Sequence, residues 1–200
     1  KMNKTEYFIG DMKGFMMQLD KEIGKIVNLH EQVIGDKKIG RTGKVIRYKK
    51  FAIRLNGTAD VSFEYLKVRD NKNIFELYPD VQFYDYTKKY KRFNKVIPKN
   101  YHLTFSRSEI NDTESIDMLN RGYNVAYVFG VKDVQDLPKT YKGFKVINGD
   151  ESDLRFLDDE NVIVGLKYKL VTHKGSKGQN KDNIDNNDFL IDVSKELEIV

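Results

Sequence analysis

The sequence predicts an α/β fold: a partial or distorted (β/α) barrel-like parallel sheet with a β-rich C-terminal part. Three observations carry that expectation. Between Phe51 and Gly130, apolar runs of strand length ("FAIRLNG", "VQFYDYT", "YHLTFS", "NVAYVFG") alternate with longer mixed segments, the signature of successive βα units. An amphipathic pattern precedes them. After Gly130 the helix-length segments disappear, and short apolar runs are joined by turns.

Taken in order, Met12, Phe15, Met16, Leu19, Ile23, Ile26 and Val27 recur at helical spacing and predict a helix between Gly10 and Asn28. Its methionines read as core filler, because an unbranched thioether packs irregular gaps. "GDKKIGRTGKVIRYKK", Gly35 to Lys50, is a glycine-punctuated basic connection. The first strand is followed by a mixed segment from Phe63 to Leu77, and the second by Lys88 to Ile97, whose weak periodicity reads as irregular. After the third strand, Ile110, Ile116 and Leu119 mark a helix within Ser108 to Gly122, with Gly122 as its closing signal. "FKVING", "DLRFLD" and "VIVGLKYKLV" read as strands. Thr172 to Asp188 is too polar to order itself by burial and reads as a mobile loop, after which "FLIDV" returns as an edge strand. The expected organisation is one α/β domain over residues 1–171, a loop over 172–188, and an edge strand with a tail over 189–200.

Composition narrows the chemistry. A chain of 200 residues, 40% of them hydrophobic, can bury a core without disulfides or metals. The absence of cysteine excludes a disulfide framework, a thiolate nucleophile, a Cys-ligated zinc and an iron–sulfur cluster held by this chain. The three histidines, His30, His102 and His173, do not stand near carboxylates at ligand spacing. The acid-rich stretch Asn148 to Asp159 reads as turn chemistry, with Asp150 and Asp153 the remaining candidates for an oxygen-ligand site, so neither metal nor cofactor is expected. Walker, dinucleotide and nucleophile-elbow motifs are absent. A net charge of +5 is a modest excess that allows a polyanionic partner without demanding one. No apolar run approaches about 18 residues and no leader pattern opens the chain, so a cytoplasmic protein without membrane partners is expected. Because the chain opens on Lys1, residues upstream of it are expected too.

The chemistry-bearing residues gather where strands end. "AIRLNGTAD" delivers Asn56, Thr58 and Asp60; "VQFYDYTK" delivers Asp85, Tyr86, Thr87 and Lys88; "YHLTFSRSE" delivers Thr104, Ser106, Arg107, Ser108 and Glu109. In parallel α/β folds the loops after strand C-termini share one rim, where ligands bind. Ser106 or Ser108 can cap the following helix, whose free N–H groups attract anions, and Arg107 adds a planar fork for carboxylate or phosphate. The bland alternative makes Ser108 an N-cap, Glu109 a counter to the helix dipole, and Arg107 the partner of an acidic neighbour. Asp85 stands among aromatic residues, where desolvation shifts its pKa or demands a partner such as Arg107 or Arg54. "NGTAD" also reads as an ordinary turn around Gly57.

The blocks "RLNGTADVSFE", "YPDVQFYDYTK", "NYHLTFSRSE", "NVAYVF" and "INGDESDLRFLD" followed by "VIVGLK" resemble, in that order, those of the bacteriophage gene product 88 family and its phage and plasmid relatives. "KTEYFIGDMKGFMMQLDKEI" resembles that family's helical segment, and together the likeness covers most of Lys4 to Lys169. The resemblance implies a phage or mobile-element protein. It also implies a cysteine-rich segment upstream of the helix in other members, and a pattern similar to the strand ends of radical-SAM-like barrels, where such cysteines hold an iron–sulfur cluster. Without cysteine, this chain is then a shortened relative or one that has lost the cluster chemistry.

Together these readings point to an accessory protein that binds a phosphate-bearing ligand, a nucleotide or nucleic acid, on the rim. Arg107 would clamp the anion, Asn56, Asp60, Asp85 and Thr104 would orient the rest, and Ser106 and Ser108 would line the site. Nucleic acid would also meet Arg41, Lys44, Arg47, Lys49 and Lys50, and Lys88, Lys89, Lys91 and Arg92. The alternatives are an enzyme with Asp85 or Glu109 as general base on the same ligand class, and a host-interaction or anti-defence protein that binds a host protein.

Overall fold

The computed structural model describes residues 4–35, 51–57, 59–169 and 189–192. The expected loop over 172–188 and the tail after Asp192 lie outside the described residues. The elements run α1 (Lys4–Gly10), α2 (Met12–Gly35), β1 (Ala52–Arg54), α3 (Ile74–Leu77), β2 (Gln82–Thr87), β3 (Tyr101–Ser106), α4 (Asp112–Asn120), β4 (Val125–Phe129), β5 (Thr140–Tyr141), β6 (Phe144–Asn148) and β7 (Ile163–Lys167), with single turns of 3-10 helix between them. Seven strands form one mostly parallel sheet in the order β1-β2-β3-β4-β7-β6-β5, open rather than closed into a barrel. β3 with β4, β4 with β7 and β6 with β7 pair in parallel, and β5 with β6 forms an antiparallel hairpin. Lys142 and Gly143 turn that hairpin with φ of 50° and 83°, the left-handed pair that a tight two-residue hairpin needs. No helix among the described residues is long and apolar enough to cross a membrane.

The chain divides into two compact units, Lys1–Phe83 with Ile97–Tyr101, and Tyr84–Val96 with His102–Val200. In the first, Asp11 separates α1 from α2 by capping the latter, its Oδ1 accepting from Gly14 N–H at 2.8 Å. Met16 and Ile23 of α2 are buried, but Met12, Met17 and Ile26 are exposed, so of the helix's methionines Met16 alone fills the core, and the helix runs on to Gly35, past its expected end. Asp20 accepts from the Tyr78 hydroxyl (2.6 Å) and from Arg69 Nε (2.8 Å). The mixed segment after β1 holds only a 3-10 turn and α3, a four-residue helix set by the reciprocal Asn73–Glu76 capping box. Phe75 of α3 stacks on Tyr101 (4.2 Å) and meets Phe83 edge-on (5.0 Å).

The second unit is built around β3, β4 and β7. Phe105 pairs with Val125, and Val125 with Ile163, so these residues share one side of the sheet. Tyr90 and Phe93, from the 3-10 turn Tyr90–Asn94 in the weakly periodic segment, meet Phe105 edge-on on that side. Tyr127 and Phe129 continue it under Tyr141. α4 begins at Asp112 rather than near Ser108, so Ile110 lies outside the helix and is exposed, while Met118 and Leu119 are buried. "DLRFLD" is a 3-10 turn, Arg155–Leu157, instead of a strand: Arg155 turns inward while Leu154 and Leu157 are exposed, the reverse of an apolar-in alternation. Ile191 forms a parallel bridge with Phe129, where "FLIDV" was expected to return as an edge strand.

Candidate functional site

The end of β3 is held by one asparagine. Asn111 Oδ1 accepts from Ser108 N–H (2.6 Å), its Nδ2 donates to Ser106 O (3.1 Å), and its own carbonyl accepts from Ser115 Oγ (2.9 Å). Ser108 is therefore buried as part of a pinned loop, and Asn111 occupies the N-cap position expected of Ser108. Glu109 is exposed at the tip of the same loop.

Arg107, 9% exposed, points its fork into a polar cluster. Its Nη1 donates to Phe189 O (2.7 Å) and its Nε to Asp112 Oδ1 (3.4 Å), while Asp112 Oδ2 accepts from Lys142 Nζ (2.7 Å). Partial burial pushes the Asp112 carboxyl up, but the Lys142 ammonium and the Arg107 guanidinium outweigh it and hold the group below the ordinary carboxylate range. Tyr127 lies beside these charges. Its buried hydroxyl has no hydrogen-bond partner among the described residues, and burial followed by the Asp112 charge pushes its pKa up to about 12. From the end of β2, Lys88 Nζ sits 5.6 Å from the centre of the Phe189 ring. Cations from the ends of β2 and β3 and from the β5–β6 turn thus meet around Phe189 and Asp112. Chemically, the arrangement holds one anion between Arg107 and Lys142, the carboxylate of Asp112.

The other sequence-predicted residues are distributed as follows. Asp85 is fully buried on β2 and alternates with Tyr84, so it faces the opposite side from Tyr84. Thr104 is fully buried and, with half-buried Ser106, lies on the side of β3 opposite Phe105. Asn56 and Asp60 belong to the first unit; Asn56 closes its turn by donating to Val61 O (3.0 Å) and accepting from Val61 N–H (2.8 Å), and Asp60 is half-buried. Lys88, Lys89 and Lys91 are exposed and Arg92 is buried. Arg41, Lys44, Arg47, Lys49 and Lys50 lie outside the described residues. Asp150 braces the end of β7, accepting from Lys167 N–H (3.0 Å) and pairing with Lys169 Nζ (2.6 Å). Among the described residues no group of three or more His, Cys, Asp or Glu side chains is placed to hold a metal ion. Sequence reasoning missed Asp112, Tyr127 and Lys142. Lys142-Gly143 was the one with a signal, an X-Gly pair between two short strands.

The family model described as Gene product 88 matches residues 2–185 of this chain. No curated protein and no solved structure matches it.

Proposed function

The chain belongs to the gene product 88 family, and from that premise we propose that it is a phage accessory protein of the host cytoplasm that binds a phosphate-bearing ligand, a nucleotide or nucleic acid, at the ends of β2 and β3. The observation that supports this reading is the carboxylate of Asp112 held between Arg107 and Lys142, with Lys88 close by on Phe189. A phosphate oxygen fits where that carboxylate sits, and the Tyr127 hydroxyl is a donor to spare. Asp112 is then an internal competitor. Asp112→Asn is expected to tighten binding of a fluorescent oligonucleotide or of ATP. Lys142→Ala is expected to weaken it by about 1.5–3 kcal/mol, the range for hydrogen bonds to charged groups. Duplex affinity should fall with salt at a log–log slope of about −0.9 per phosphate contacted. Anisotropy titrations that detect no binding at low salt, or equal affinities for all three proteins, would remove the reading. Within it, Asp85 or Glu109 as general base remains the catalytic variant.

A second reading, engagement of a host protein, draws on α1 and α2, where Ile9, Met12, Met17, Ile26 and Leu29 are exposed apolar side chains. Replacing Met17 and Leu29 with Ser is expected to abolish host-protein capture while oligonucleotide binding persists.

A further inference from the structure

The side of β3 opposite Phe105 carries polar groups that their neighbours leave unused. His102 and Thr104 stand two residues apart on the strand and point the same way. The turn Arg155–Leu157 packs here, its Phe156 ring 5.8 Å from that of Tyr84. The Arg155 charge also reaches His102, whose pKa is lowered first by burial and then by that guanidinium. Thr104 is fully buried and Arg155 is 1% exposed. Thr104 Oγ1, His102 Nε2, Arg155 Nε and Arg155 Nη1 have no hydrogen-bond partner among the described residues. The guanidinium's recorded hydrogen bond runs from Nη2 to Ser152 O. Asp158 Oδ2 stands 3.3 Å from Arg155 Nε, an ion-pair distance, yet neither atom makes a hydrogen bond. Leaving a buried polar group unpaired is costly, and more so when it is charged, so this concentration of unused groups favours an acceptor from outside.

We propose that Arg155, Thr104 and His102 form a receptor for a carboxylate group, independent of the reading built on Arg107. One guanidinium matches the single charge of a carboxylate. One carboxylate oxygen takes Arg155 Nη1–H and the other takes the Thr104 hydroxyl, with His102 Nε2 donating in its Nε2–H tautomer. Asp158 stands on the Nε edge of the guanidinium, its carboxyl pKa raised by burial against the opposing pull of Arg155, which leaves Nη1 for the ligand. A phosphate dianion fits worse, because it brings a second charge to a place with one cation. The turn that covers these groups lies outside the strand ladders, in a run of bends between Gly149 and Val162, with Leu154 and Leu157 exposed.

The test uses the full chain, titrated with sodium formate, sodium acetate or sodium phosphate at constant ionic strength set by sodium chloride. Histidine ring resonances and thermal unfolding are the readouts. Formate and acetate are expected to shift the His102 resonances saturably and raise Tm, with phosphate far weaker. Thr104→Val removes the hydroxyl at nearly constant volume. It should lower formate affinity at least about tenfold, one good hydrogen bond to a charged group, while leaving the unliganded Tm equal or higher because the hydroxyl has no partner to lose. Arg155→Lys should abolish the saturable shift. The proposal is overturned by a wild type that shows no saturable shift, by phosphate binding more tightly than both carboxylates, or by a Thr104→Val protein with unchanged formate affinity. A lower unliganded Tm in Thr104→Val also overturns it, because that is the result for a hydroxyl already bridged by buried water.

Discussion

Arg107 serves the chain's own backbone before any ligand reaches it. Its fork holds Phe189 O, 82 positions later, and Phe189 opens the short segment that lies along the end of β4 through Gly130 N–H to Ile191 O (2.9 Å) and Ile191 N–H to Val128 O (3.0 Å). Arg107→Ala is expected to cost about 1–3 kcal/mol in urea unfolding, since it strips a donor from a partly buried carbonyl. It is also expected to speed amide exchange at Gly130 and Ile191. Unchanged exchange at both amides would show that the segment is held without the arginine. The residue is conspicuous in the sequence because it follows a strand and precedes a helix. Its partners are not: Phe189 O and Asp112 became its acceptors only when separate segments folded together.

Among the elements, α4 shows what local sequence settles and what it does not. Its end was legible: Gly122 adopts φ 89°, its N–H bonds to Leu119 O (2.9 Å), and Tyr123 N–H reaches Met118 O (3.0 Å), the paired bonds of a Schellman close. An added Cβ meets no atom within 4 Å there, so the penalty of Gly122→Ala comes from the backbone alone. That penalty is expected to be about 1–2 kcal/mol, read as a lower Tm. A Tm equal to the wild type's would mean that the helix end relaxes freely. The start of α4 was not legible, because Ser108 and Asn111 are both good caps. The choice fell to Asn111, whose amide satisfies Ser106 O and Ser108 N–H together. Arg155 shows a similar limit: alternation around Leu154 and Phe156 reads as a strand, but the turn buries the arginine.

For the whole molecule, charge pairing sets the response to acid. Burial pushes the Asp150 carboxyl up, but Lys169 and the Lys167 N–H outweigh it, so Asp150, like Asp112, has a folded pKa below its unfolded one. Such groups contribute stability that is present above about pH 3.9, the unfolded value, and lost as pH falls through the folded value. His102, held neutral by burial and then by Arg155, also takes up its proton more readily in the unfolded chain. Its contribution therefore declines as pH falls below about 6.5. Asp158, raised by burial, works in the opposite direction and partly offsets the loss. Tm is expected to fall on acidification, with His102→Gln flattening the decline nearer neutrality and Asp150→Asn flattening it at the acid end. Parallel curves for wild type and both variants would exclude these groups as the cause.

By itself the sequence determined the α/β class, the four strands from β1 to β4 together with β6 and β7, the long N-terminal helix and the glycine that ends α4. These rest on periodicity, on β-branched and aromatic runs, and on one backbone preference, all properties of neighbours in the chain. The blocks quoted from Arg54 to Lys167 likewise pointed to the gene product 88 family. Tertiary structure decided which polar groups meet. It set Thr104 and Arg107 in different surroundings, because alternation on β3 turns Thr104 to the side where Arg155 packs. It brought Asp112, Tyr127 and Lys142 to Arg107, because the β3–β4 register and the β5–β6 turn place distant residues side by side. Side-chain partnership across such distances depends on register and packing, and neither is written in local composition.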